Sequence, residues 1–147
     1  MNLAGILKRY LRDRRGMAAI EFAILAPMII VLLLGVLAIG IQMQNFNSLR
    51  SIAYDVNRYT VIQYQKDIEF DADQIRDKAL AIAGSSPYNL ATGDEARFDV
   101  TVEEGATPIT GARRFDLTLT YIPMKIAMPL DLDPPKLTKT QAIIVPD

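Results

Sequence analysis

The sequence predicts an α+β protein with a long N-terminal helix, a short second helix and a small antiparallel C-terminal sheet. Three patterns indicate this fold class. An uncharged apolar run extends from Phe22 to Ile41, a helical period of apolar residues continues beyond it, and a two-residue alternation occupies the last third of the chain. With 147 residues, the chain can hold one small domain beside a membrane anchor.

The first 16 residues concentrate positive charge. Of the chain's 16 basic and 17 acidic residues, five basic residues and Asp13 lie here, which leaves a net charge of about −5 for the remainder. Apolar residues at helical spacing between them indicate either a short basic amphipathic helix on an anionic membrane surface or a disordered basic flank. Since Tyr10 is the only aromatic residue of the segment, a role in membrane topology explains the charge better than nucleic-acid binding.

The residues from Phe22 to Ile41 carry no charge, and about 20 apolar residues in helical conformation match the hydrocarbon core of a bilayer. We therefore expect a transmembrane helix over residues 17–41. The basic flank precedes this helix, so the positive-inside rule places the N-terminus in the cytoplasm and the rest of the chain outside. Pro27 removes one backbone hydrogen bond and is expected to kink the helix.

The helical period continues past the apolar run. No Gly or Pro interrupts it between Gln42 and Lys66, and apolar residues recur every three or four positions opposite a polar face. We expect residues 42–66 to form an amphipathic, extracytoplasmic continuation of the same helix, packed on the outer domain of the chain. The whole helix is predicted from Met17 to about Tyr64.

Residues 67–147 are predicted to form the small outer α+β domain. Its helix follows from "DADQIRDKALAIAG", in which Asp71 is the expected N-cap, Gly84 the expected C-cap, and an apolar stripe lies between them. Asp71 and Asp73 lack the spacing of an EF-hand loop, so capping explains them better than a metal site.

Three segments of the outer domain read as strands. "RFDVTVEE" and "RRFDLTLTYIP" alternate apolar with polar residues, as half-buried strands do, and suit an antiparallel pair. "LTKTQAIIV" reads as a third strand near the C-terminus. We expect the resulting sheet to lie on the outer half of the long helix.

The composition argues against enzyme chemistry. The chain contains neither cysteine nor histidine, so the usual residues of zinc sites, thiol nucleophiles and imidazole bases are missing. Asp131 and Asp133 lie beside a proline pair, where aspartates are usually turn residues. We expect no catalytic residue, no metal and no cofactor.

One acidic residue, Glu21, lies at the membrane end of the apolar run. A carboxylate at this position costs free energy unless it is neutral, paired or at the interface. It either stays hydrated near Arg14, Arg15 and the lipid headgroups, or it has a partner. Cleavage after Gly16 would create such a partner, because the new α-amino group of Met17 would lie about 6 Å from Glu21 along one helix axis, or beside Glu21 of a staggered neighbour.

The stretch "RRGMAAIEFAILAP" resembles a type IV prepilin processing site, with a basic leader, Gly16 as the last leader residue and an acid five residues into the mature chain. Glu21 and Phe22, followed by Pro27, are similar to the corresponding residues of TadE-like pseudopilins of the tight adherence (Flp) pilus system. The C-terminal "DLTLTYIPMKIAMPLDLDPPKLTKTQAIIV" is also similar to that family's strand, Tyr-x-Pro-like break, proline-rich excursion and final strand.

The resemblance implies a pilin-like fold and a minor subunit of a type IVb pilus, in the inner membrane or the extracellular pilus. Gly16 and Met17 would flank the bond cut by an inner-membrane aspartic prepilin peptidase, residues 1–16 would be removed, and Glu21 with Phe22 would act in assembly. Small residues of the helix, Ala18, Ala19, Ala23 and Ala26, would let neighbouring helices approach closely. The implied partners are the peptidase, other pilin or pseudopilin subunits, the inner-membrane assembly platform and membrane lipid.

Two features of the sequence refine the resemblance. Met17 stands where type IV pilins usually have Phe, so the resemblance does not predict methylation of the mature N-terminus. The mature chain of about 130 residues is longer than an Flp major pilin, which favours a minor subunit of TadE or TadF type.

Two other topologies stay open at this point. The chain can be an uncleaved single-pass anchor that presents a small binding domain, with Glu21 merely interfacial. It can also be a secreted protein whose signal peptide is cut before Ile41, although the apolar run is longer than a usual signal-peptide core. The three hypotheses predict mature chains that begin at Met17, Met1 or Ile41.

Overall fold

The computed structural model describes residues 15–91, 97–125 and 133–147. Its elements are helix α1 (Arg15–Tyr64), helix α2 (Ala72–Gly84) and strands β1 (Phe98–Gly105), β2 (Ala112–Tyr121) and β3 (Leu137–Pro146). The strands form one antiparallel sheet in the order β1-β2-β3, with β2 in the centre. This architecture confirms the predicted fold class.

Some predicted segments lie outside the described residues. They are the basic segment over residues 1–14 and most of the proline-broken excursion between β2 and β3. In its described part, Lys125 donates a hydrogen bond to Asp133 at 2.9 Å.

Helix α1 contributes to both of the compact units into which the chain divides, and the boundary within it falls between Ile39 and Gly40. Before that boundary the helix is apolar yet exposed, with 70% of the surface of Phe22 accessible. Its most apolar 18-residue window has a mean hydropathy of 3.0, and 6% of that window is buried. Among the described residues, α1 is the one helix long and apolar enough to cross a membrane by length and composition.

After the boundary, α1 is amphipathic as predicted. Leu49, Ile52 and Val56 are fully buried, and their spacing of three and four residues places them on one helical face. The buried hydroxyl of Thr60 donates a hydrogen bond to the carbonyl oxygen of Val56 at 2.9 Å, so burial leaves its donor satisfied. The helix ends at Tyr64.

Helix α2 begins with the predicted cap. The carboxylate of Asp71 accepts a hydrogen bond from the backbone N–H of Gln74 at 2.7 Å, and the Gln74 side chain accepts one from the backbone N–H of Asp71 at 3.0 Å. This reciprocal pair is a capping box. The predicted C-cap was wrong by one position: Gly84 is the last helical residue, and Ser85 caps the helix in extended conformation, with its N–H bonded to the Ile82 carbonyl. No left-handed residue is therefore needed at this end.

The sheet has the predicted alternation. In β1, Phe98 and Val100 are buried while Asp99 and Thr101 are exposed. The buried residues of β2 align with those of the other two strands, because Val100 pairs with Leu119 in one ladder and Phe115 pairs with Ile143 in the other. One face of the sheet is consequently apolar along its length. The connection from β1 to β2 ends at Gly111, whose φ of 75° favours glycine.

A single hydrophobic core joins the apolar face of the sheet to α2 and to the outer part of α1. This confirms that the sheet packs on that part of α1. Its fully buried large side chains come from both helices and from β2 and β3, and β1 adds the buried Phe98 and Val100: Leu49, Ile52, Val56, Ile75, Phe115, Leu117, Leu119, Ile143 and Val145. Burial of each contributes about 1.5–3 kcal/mol, so the core rather than the few surface ion pairs holds the domain together.

Two polar contacts fix the periphery of the core. Arg76 of α2 donates from Nε to the carbonyl oxygen of Val100 at 3.1 Å, which occupies a backbone acceptor of strand β1. Tyr88, in the loop after α2, donates its hydroxyl to the Asp55 carboxylate of α1 at 2.8 Å. The hydrogen bond with Asp55, followed by partial burial, raises the pKa of Tyr88 above its usual value of 10.0.

Replacing Leu49 by alanine should lower the free energy of unfolding of the detergent-solubilised chain by about 2–5 kcal/mol, because the cavity would open in the fully buried core. Met43→Ala, on the exposed side of the same helix, should change it by less than about 0.5 kcal/mol. A urea titration of both variants measures the difference. Equal effects would contradict the packing of α1 on the sheet.

Tyr88 should titrate above the ordinary tyrosine range. Since the fold favours the neutral phenol, its contribution to stability is present below pH 10 and is lost as the pH rises through the folded pKa. The tyrosinate absorbance of the native chain minus that of Tyr88→Phe reports the titration of Tyr88 alone. Asp55→Asn should move the midpoint of this titration down towards pH 10. An unchanged midpoint in Asp55→Asn would show that the hydrogen bond is not the cause.

Candidate functional site

The predicted processing residues lie among the first described residues of α1. Gly16 and Met17 are both helical, and both are exposed. A Cβ atom placed on Gly16 would meet no heavy atom within 4 Å, so open space surrounds the residue.

Glu21 lies one helical turn after Met17 and is exposed. Residues four apart share a helical face, with an axial separation of about 6 Å. The structure therefore brings the α-carbon of Met17 and the side chain of Glu21 to the same side of α1. No carboxylate or cation follows Glu21 before Ile41, so the apolar part of the helix offers it no ionic partner.

Small residues form a stripe on the other side of the same helix. Ala19, Ala23 and Ala26 recur at intervals of four and three, and at about 100° per residue Glu21 is on the opposite face from this stripe. Ala18 lies off the stripe by the same count. The alanine stripe, which permits close approach of another helix, and the Glu21 carboxylate therefore lie on two separate surfaces of α1. Each surface can contact a different neighbour.

Phe22 and Pro27 are also exposed positions of α1. Phe22 presents its aromatic ring to the outside of the helix. The helix runs through Pro27 without ending, although the missing N–H leaves the carbonyl of Ala23 without its intrahelical partner. The predicted kink at Pro27 stays a prediction.

The part of the chain that carries these residues has a recognisable family signature. Residues 16–58 match the family model described as "TadE-like protein". This segment is TadE-like. The match confirms the resemblance inferred from Gly16, Glu21 and Phe22, and its first residue coincides with Gly16, the predicted last residue of the leader. Comparison with curated proteins and with solved structures gives no match.

The TadE-like segment includes the exposed apolar part of α1 and ends at Arg58, within the part that packs on the sheet. Together with the candidate membrane span, it suggests a membrane-anchored component associated with the Tad pilus. The segment from Asp116 to Val145 lies outside the match, so its similarity to the family pattern stays a prediction.

Two features of this part of the chain were missed by the sequence reasoning. The opposition of the alanine stripe and Glu21 follows from counting positions on a helical wheel, so the signal was present in the sequence. The hydrogen bond between Asp55 and Tyr88 joins residues 33 positions apart and has no local sequence signal.

The described residues hold no group of three or more acidic side chains arranged to bind a metal ion.

Proposed function

We propose that the chain is a minor pilin or pseudopilin needed for assembly of a tight-adherence (Flp) type IVb pilus. A prepilin peptidase would remove residues 1–16, and the trimmed subunit would assemble through the N-terminal part of α1. One observation carries the proposal: the TadE-like match begins at Gly16, five residues before Glu21, the single acid in the exposed apolar part of α1.

Cleavage would give Glu21 its partner. The new α-amino group of Met17 would add a positive charge to the positive end of the helix dipole. A charged carboxylate in an apolar environment costs free energy that an opposite charge offsets, so Glu21 would pair with this amine in its own helix or in a staggered neighbour. The alanine stripe, on the opposite face of the helix, would allow a second neighbour to approach closely.

The exposed apolar surface of α1 supports a membrane location. Large side chains such as Phe22, Met28 and Leu32 are each more than 60% accessible, which is unfavourable in water over so long a surface. The basic residues that precede the helix favour a cytoplasmic N-terminus and an extracytoplasmic outer domain. We place the subunit in the bacterial inner membrane before assembly, in contact with lipid, the peptidase and the assembly platform.

We assign the chain a structural role and no catalytic one. Pilin and pseudopilin subunits are its proposed partners, and it would need no cofactor. The competing function is an uncleaved single-pass anchor that presents the outer domain as a binding module, with Glu21 at the lipid interface.

Processing can be measured by the intact mass of the membrane-bound chain, expressed with and without a prepilin peptidase. The proposal predicts loss of residues 1–16 only when the peptidase is present, and retention of the leader when Gly16→Leu blocks the cleavage site. Retention of Met1 with an active peptidase would instead favour the uncleaved anchor, and a chain beginning at Ile41 would indicate a secreted protein.

Glu21→Ala should prevent piliation while leaving the outer domain folded, because the substitution removes the partner of the new amine and touches no core residue. Gln44→Ala, an exposed polar position further along α1, is the matched control and should assemble normally. Pilus number on the cell surface and urea stability of the purified chain separate the two effects. Normal piliation of Glu21→Ala would contradict the assigned role.

A further inference from the structure

The outer part of α1 has a second exposed surface that the core does not use. It consists of Met43, Asn47, Arg50, Tyr54 and Arg58, and we call it the outer face of α1. These residues lie across the helix from Leu49, Ile52 and Val56, which point into the core. Tyr54 is 53% exposed, with an arginine one turn before it and another one turn after it. Tyrosine and arginine are the residue types most enriched among interface anchors.

Neither arginine of this face forms an ion pair within the described residues. From Gly40 to Tyr64 the one acidic residue of α1 is Asp55, three positions before Arg58. Its carboxylate instead accepts the hydroxyl of Tyr88 at 2.8 Å. None of the ion pairs between described residues includes Arg50 or Arg58.

An acidic surface follows the end of the same helix. Asp67, Glu69 and Asp73 are exposed and lie in the turn after α1 and the first turn of α2; we call them the acidic end. Asp67 adopts a positive φ of 57°, within the tight turn that leaves Tyr64. Glu69 also adds to the field that, after the hydrogen bond with Glu104, raises the pKa of Arg113. Residues 66–73 contain four acids and one base, Lys66, so this segment has a net charge of −3.

We propose that the outer face of α1 binds the acidic end of a second copy of this chain. Opposite charges favour the contact, and Tyr54 supplies apolar and hydrogen-bonding surface between them. The contact joins two different surfaces, so each copy can bind one neighbour through its outer face and another through its acidic end. Such a heterologous contact does not require two-fold symmetry, so two copies can meet through it while their other surfaces contact other subunits.

The two surfaces lie at different levels along α1. Tyr54 lies ten residues before the end of the helix at Tyr64, which corresponds to about 15 Å, and the acidic end lies beyond Tyr64 in the chain. For parallel copies the contact therefore requires a stagger along the helix, since copies at the same level would place arginines opposite arginines.

Lipid headgroups are a less suitable partner for this face. Arg58 lies 17 positions beyond Ile41, about 25 Å along the helix, whereas the headgroup region adds only about 5–8 Å on each side of the hydrocarbon core. The inference extends the proposed pilus role, because it concerns how assembled copies contact one another outside the membrane.

The contact can be tested by cross-linking in membranes, since the full chain contains no native cysteine. One tagged copy carries Tyr54→Cys and a differently tagged copy carries Asp67→Cys, and a short bis-maleimide reagent joins them. We expect at least about five-fold more hetero-tagged product than when Thr101→Cys, exposed on strand β1, replaces Tyr54→Cys.

Charge reversal tests whether the arginines cause the contact. Arg50→Glu with Arg58→Glu should lower the cross-linking yield at least about five-fold. For the rescue, Asp67→Lys and Asp73→Lys are added to the same chain, and Glu69→Cys replaces Asp67→Cys as the reporter. The yield should then be restored. Failure of this rescue would overturn the charge pairing.

Three other results would contradict the proposal. They are a yield equal to the Thr101→Cys control, stronger cross-linking between two Tyr54→Cys copies than between the mixed pair, and a product that contains a different protein. The mass of the N-terminus is recorded in the same membranes, so failure of this contact is distinguishable from failure of processing. Cleavage after Gly16 with no cross-linked product would contradict this inference and leave the proposed processing intact.

Discussion

The burial of Leu49, Ile52 and Val56 against the sheet is the interaction on which the rest of the structure depends. It commits one face of the outer part of α1 to the core of the chain. The three-stranded sheet, which as a single layer cannot bury its own apolar face, thereby gains a partner. Helix α1 also carries the exposed apolar surface before Gly40. The helix therefore has two apolar surfaces, one buried in the core and one exposed.

The two parts of α1 show how the surroundings of a helix determine which residues it needs. Where the sheet packs, one face is apolar and the opposite face carries Tyr54 and two arginines. Before Gly40 the helix is largely exposed and apolar on all sides, and Glu21 is its one charge between Gly16 and Ile41. A membrane explains the second pattern because lipid contacts every side of a spanning helix. Cleavage after Gly16 would supply a cation for Glu21, which is why processing is central to the proposed function.

Much of the fold was predictable because local patterns and final packing agree. The helical period through Leu49 and Val56, and the alternation around Val100 and Leu117, each report which face is buried. The C-cap of α2 was misjudged because glycine permits a left-handed cap without requiring it, and Ser85 ends the helix in extended conformation. Long-range contacts such as Arg76 with the Val100 carbonyl depend on tertiary geometry and leave no local signal.

The central claim is that the exposed apolar part of α1 lies in the membrane while the outer domain lies on the extracytoplasmic side. Single cysteines at Leu33 and Tyr54 test it, with a membrane-impermeant maleimide applied to intact spheroplasts before and after permeabilisation. The account predicts that Tyr54→Cys is labelled without permeabilisation and that Leu33→Cys stays unlabelled in both conditions. Labelling of Tyr54→Cys only after permeabilisation, or of Leu33→Cys at the same rate as Tyr54→Cys, would contradict it.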